Sequence, residues 1–158
     1  MKASTVHELK QELQQLPVSK LAELCVRLAK FKKENKELLT YLLFEAYDEE
    51  AYINSVKEEM DSLMSETNKS SLFFAKKTIR KVLRMANKHI RYIGTKQSEV
   101  ELLLHFCKGM NDLGISFHKS PVLLNLYNNQ LKKAGKTIDT LHEDLQYEYK
   151  RELNKLKR

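Results

Sequence analysis

The sequence predicts an all-α fold of six or seven helices, stacked as helical hairpins in an α-array or bundle, with a long C-terminal helix. Three observations predict it. Four glycines and two prolines are all that interrupt 158 residues, so few positions resist a helix. Apolar residues recur three and four apart along nearly the whole chain. Capping and stop residues fall at helix-length intervals, and no stretch shows the two-residue alternation of a half-buried strand. At this length one domain with its own core is expected.

The first helix opens at Thr5-Val6-His7-Glu8, a capping-box pattern, and carries Val6, Leu9, Leu13 and Leu16 at helical spacing before Pro17 ends it. A second helix is expected over Val18–Phe31, burying Leu21, Leu24, Cys25 and Leu28. Asn35 is the candidate cap of a third, running from Lys36 to about Tyr47. Leu38, Leu39, Leu42, Leu43 and Phe44 nearly surround that helix, which predicts that it sits at the centre of the fold. Asp48 caps a fourth helix with Glu49 and Glu50 in its first turn, where the macrodipole favours acids. Its expected buried stripe is Ile53, Val56, Met60 and Leu63.

Asn68 is the candidate cap of the fifth helix and Gly94 its left-handed C-terminal residue. A sixth begins at Ser98, with Glu101 completing a second capping box, and buries Val100, Leu103, Leu104, Cys107 and Met110. Asn111–Lys119 is irregular. Ser120-Pro121 then starts the last helix with a capping hydroxyl and a first-turn proline. Leu124, Tyr127, Leu131, Ala134, Ile138, Leu141 and Leu145 form a heptad-like seam. Unbroken over about residues 121–155, this helix would extend roughly 50 Å from end to end, with Gly135 as the candidate break. The seam also offers a surface for a homodimer. A faint internal echo, Arg27-Leu28-Ala29 with Glu37-Leu38-Leu39 against Arg84-Met85-Ala86 with Glu101-Leu102-Leu103, favours stacked hairpins over a symmetric four-helix bundle.

Several function classes find no support. The two cysteines, Cys25 and Cys107, fit neither a disulfide framework nor a zinc spacing and read as small buried apolar residues. The five histidines include no pair three or four apart, so no metal is expected. The serines lie in no nucleophile-elbow motif, and the scattered glycines form no phosphate loop. His105 and Cys107, two apart, face different sides of a helix. A small enzyme would need a pocket, with the Asn111–Lys119 loop its expected place. No apolar run approaches the roughly 20 residues of a membrane span, and the start lacks a signal-peptide core. A cytoplasmic protein without a cofactor is expected.

Charge is the informative feature. Lys69–Lys96 holds nine basic residues and no acid, in a chain of net charge +7. At about 100° per residue, Leu72, Ala75, Ile79, Val82, Leu83, Ala86, Ile90 and Ile93 gather on one face. Lys77, Arg80, Lys81, Arg84, Lys88 and Arg91 gather on the other. Immediately before it, Glu45–Glu66 carries eight acids against Lys57 alone. The stripe then has three readings. The acidic helix packs antiparallel beside it and screens it. It binds nucleic acid, with Phe73 inside the basic face and Phe74, Met85 and Tyr92 on its flank. Or it holds an acidic protein partner, with an anionic membrane surface as a lesser variant. Phe74 and Tyr92 are expected to be core contacts.

Leu9–Leu28 (LKQELQQLPVSKLAELCVRL) resembles the short helix–turn–helix SAP module, which implies DNA binding, although the glycine that module has before its second helix is absent. The stacked hairpins are similar in outline to HEAT or armadillo-like arrays and carry the signature of neither. The expected function is therefore a non-enzymatic interaction or adaptor domain presenting residues of about 69–93 to an acidic partner, with nucleic-acid binding by the same helix as the alternative.

Overall fold

The computed structural model describes residues 1–157. Among these there is no strand, and eight α-helices follow one another. They are α1 (Val6–Gln14), α2 (Val18–Phe31), α3 (Lys33–Thr40), α4 (Glu49–Ser65), α5 (Leu72–Ile93), α6 (Lys96–Asp112), α7 (Pro121–Ile138) and α8 (Glu143–Leu156). A π-helical turn, Tyr41–Glu45, continues α3, and a 3-10 turn, Phe117–Lys119, precedes α7. The chain divides into two compact units, Met1–Glu45 and Ala46–Arg158.

In the first unit the Thr5 capping box forms as expected. The Thr5 amide donates to Glu8 at 2.7 Å and the Glu8 amide to the Thr5 hydroxyl at 3.3 Å. The cap of α3 is Lys32, not Asn35, because the Asn35 side chain turns back to donate to the Leu28 carbonyl at 2.8 Å, pinning α2 to α3. Leu24, Cys25 and Leu28 are exposed rather than buried. The third helix is not the centre of the fold either. Leu42, Leu43 and Phe44 are 55%, 63% and 64% exposed, and Tyr41 alone is buried in this unit. Eight residues of α-helix in a two-helix hairpin offer too little facing surface to cover apolar side chains on every side.

The centre is α6. Val100, Leu102, Leu103, Phe106, Cys107 and Met110 are all fully buried, each large one worth about 1.5–3 kcal/mol. The register of the helices around it follows from side-chain pairs. Tyr52 meets His89 and Glu49 meets Thr95, so α4 and α5 run antiparallel. Lys57 meets Glu101 and Asp61 meets His105, a constant offset that sets α4 parallel to α6. Glu99 with Lys133 and Asn111 with Tyr127 set α7 antiparallel to α6. Asp139 with Lys150 and Tyr127 with the Leu156 carbonyl turn α8 back along α7. Successive antiparallel hairpins thus wrap the central helix.

Three boundaries in this unit differ from expectation. Helix α5 is capped by Ser71, whose hydroxyl accepts from the Phe74 amide, while Asn68 accepts from Ser70 within the preceding turn. Helix α6 is capped by Thr95, one turn before Ser98, and Ser98 donates its amide to that cap. The last helix is two. Asp139 ends α7 and His142 caps α8, and Gln146 closes the break by donating to the Asp139 and Leu141 carbonyls. No 50 Å helix extends from the body, and Gly135 lies inside α7. The seam residues Tyr127, Leu131, Ala134 and Ile138 are buried within the chain. In α4 it is Met64, not Leu63, that joins Ile53, Val56 and Met60 in the core.

Candidate functional site

Helix α5 carries the strongest charge in the chain, and its own amphipathicity fixes where that charge points. Ala75, Ile79, Val82, Ala86, Ile90 and Ile93 are buried, which orients Lys77, Arg80, Lys81, Arg84 and Arg91 to solvent, all exposed. Lys88 is half-buried, its ammonium 6.0 Å from the centre of the Tyr92 ring. The structure therefore brings all six sequence-predicted residues onto one helix face. The side chains of Lys77, Arg80, Lys81, Arg84 and Arg91 form no ion pair or hydrogen bond among the described residues.

The acidic helix does pack beside α5, antiparallel, and yet leaves these five cations alone. Ile53, Val56, Met60 and Met64 make its core contact. Its carboxylates turn elsewhere: Glu49 accepts from Thr95 at 2.7 Å, Asp61 lies 2.7 Å from His105, and Glu59 stands 3.9 Å from His89. The side chains that pair α4 with its neighbours lie on the α6 flank and at the end of α5.

One end of the stripe is aromatic. Phe73 and Phe74 are 72% and 52% exposed, edge to face with centroids 5.6 Å apart. The Lys76 ammonium stands 5.5 Å from the Phe73 ring centre. Tyr92 is buried as expected, whereas Phe74 is not a core contact. Leu83, Lys76 and Asn87 flank the cations and, with the two phenylalanines, line a shallow surface concavity. The helical periodicity placed Leu83 in the apolar stripe. Its position at the edge of that stripe was the only signal that it would border the cationic face.

Cys107 and His105 are held within the fold. The thiol of Cys107 is fully buried and pushed up to about 12 by that burial, with its sulfur 4.0 Å from the Tyr127 carbonyl. His105 turns the other way, to Asp61. In the Asn111–Lys119 loop Phe117 is buried against Tyr127, ring centres 5.1 Å apart. No group of three or more His, Cys, Asp or Glu side chains among the described residues could hold a metal ion, and no described helix is long and apolar enough to cross a membrane.

No protein-family model matches this chain, and no curated protein or solved structure matches it significantly.

Proposed function

We propose that this chain is a non-enzymatic interaction domain that holds an acidic protein partner on the cationic face of α5. One observation carries the reading: Lys77, Arg80, Lys81, Arg84 and Arg91 stand exposed and unpaired, although an acidic helix lies directly beside them. Lys77 to Arg91 spans about 21 Å of helix. Over that length like charges three and four apart disfavour the helix by about 0.2–0.5 kcal/mol per pair. An anionic partner relieves that repulsion, and its approach is accelerated by the field of the stripe. A cytoplasmic, reducing compartment accords with two free thiols.

A second reading, nucleic-acid binding, is favoured by Phe73, an exposed ring amid cations that could stack on a base. It ranks below the first because both exposed rings sit side by side at one end of the track, and a single strand would find no further platform along it.

Fluorescence anisotropy of labelled poly-glutamate, and of single- and double-stranded oligonucleotides, tests the reading across about 50 to 200 mM salt. Poly-glutamate binding that disappears in the double variant Arg80→Glu, Arg84→Glu is the expected result. Oligonucleotide binding with a steep salt slope, and none to poly-glutamate, would transfer the function to the second reading.

A further inference from the structure

We infer that the partner is an acidic α-helical segment with carboxylates repeating every three to four residues and a phenylalanine or leucine in one terminal turn. This rests on the reading just proposed and adds the partner's shape and its anchor.

Register supports the helical form. The unpaired cations succeed one another at 77, 80–81, 84 and 91, each a helical turn or two apart, about 5.4 Å per turn. A second helix lying alongside at a shallow crossing angle of about 20° repeats its side chains at the same pitch. An extended chain repeats a face every two residues, about 6.6–6.8 Å, and slips out of step within the length of the stripe.

The anchor follows from energetics. Exposed ion pairs contribute only about 0–1 kcal/mol each, so charges alone give fast, weak and salt-sensitive binding. Phe73 and Phe74, both exposed and mutually braced, supply apolar area at one end of the stripe. Aromatic and arginine side chains are the residue types that dominate binding energy at interfaces. Here they lie adjacent, with Arg80 two turns from Phe73. The aromatic pair is confined to one end, so the apolar anchor of the partner is confined to one of its ends.

Three labelled peptides of about 20 residues distinguish the possibilities on the full chain. The first carries Glu at every third or fourth position and Phe-Leu in one terminal turn. A twin has serine at those two positions, and a third has two central prolines. The anchored helix is expected to bind about 10-fold tighter than either twin. In Phe73→Ser, Phe74→Ser the advantage over the serine twin should vanish, with circular dichroism unchanged because both side chains are exposed. Equal affinity of all three peptides, lost in Arg80→Glu, Arg84→Glu, would overturn the shaped partner and leave the acidic-partner reading standing. No binding of any peptide at low salt would overturn both. A single-stranded oligonucleotide binding more tightly than the anchored peptide would replace both with nucleic acid.

Discussion

The Tyr149 hydroxyl donates to the Glu101 carboxylate at 2.9 Å, joining α8 to the central helix. Lys57 of α4 reaches the other oxygen of the same carboxylate at 2.8 Å, and Gln97 bridges Glu101 and Tyr149 at 3.3 and 3.0 Å. Three helices thus meet on one charge. Burial pushes this carboxyl upward, but the hydrogen bonds from Lys57 and Tyr149, the Lys57 charge and Gln97 outweigh it, so it titrates below the ordinary range.

The pH dependence follows in sign. A carboxyl with a depressed folded-state pKa contributes stability that is present above its unfolded value, about 4.3, and lost as pH falls through the folded value. Thermal melts of Glu101→Gln should lie below wild type at pH 7, by about 1–3 kcal/mol, and converge with it in acid. Parallel melting curves at every pH would remove Glu101 from this role. Tyr149→Phe, which takes away one donor, should cost about 1 kcal/mol.

Charge reversal on α5 should raise stability while destroying binding. Arg84 has Arg80, Lys81 and Lys88 three or four residues away, so Arg84→Glu exchanges three repulsive pairs for attractive ones. The free protein is expected to gain about 1 kcal/mol, read as a higher denaturant midpoint with an unchanged slope. Loss of stability would mean that Arg84 serves the fold.

Two glycines should respond oppositely to alanine. Gly94 ends α5 at φ +75°, so Gly94→Ala should cost about 1–2 kcal/mol. Gly135 lies within α7, and a new Cβ there meets only the flexible Leu153 Cδ2 at 3.4 Å. Gly135→Ala should therefore stabilise, by up to about 1 kcal/mol. Urea unfolding of both variants checks the pair.

The thiols and amides should report the two units separately. Cys25 is exposed and Cys107 buried, so a thiol–disulfide reagent should titrate one group in the folded protein and two in denaturant. In hydrogen exchange, amides of α2 and α3, whose unit buries Tyr41 alone, should exchange well before those of α6. Equal protection of α3 and α6 would contradict this.

Much of this architecture was legible because its signals are local. Thr5 with Glu8, Asp48, Gly94 and Ser120-Pro121 each act through their own backbone neighbours, and each sits where the chain predicts. Errors arose where two local solutions compete. Thr95 and Ser98 can both cap a helix, and Gly94 decides for Thr95 by ending α5 one residue earlier. The break at 139–142 was hidden because α7 and α8 both bury their stripes within the same unit, so the apolar rhythm from Leu131 to Leu145 runs through it. Burial in α3 departs from expectation for a different reason. An apolar segment reports what a helix could cover, not what the rest of the chain supplies to cover it. On the cationic face, periodicity alone placed Lys77, Arg80, Lys81, Arg84, Lys88 and Arg91 together. Whether the acids of α4 would reach them depended on a register that side chains far apart in the chain determine, Tyr52 with His89, Glu49 with Thr95 and Asp61 with His105.

Binding is proposed to occupy the open face of α5. Its most direct test is a titration of the isotopically labelled full chain with the anchored acidic peptide, followed by amide chemical-shift mapping. Shifts concentrated between Phe73 and Arg91 and growing to saturation are the predicted result. Shifts centred on α7 and α8, or none on α5 at saturating peptide, would contradict it.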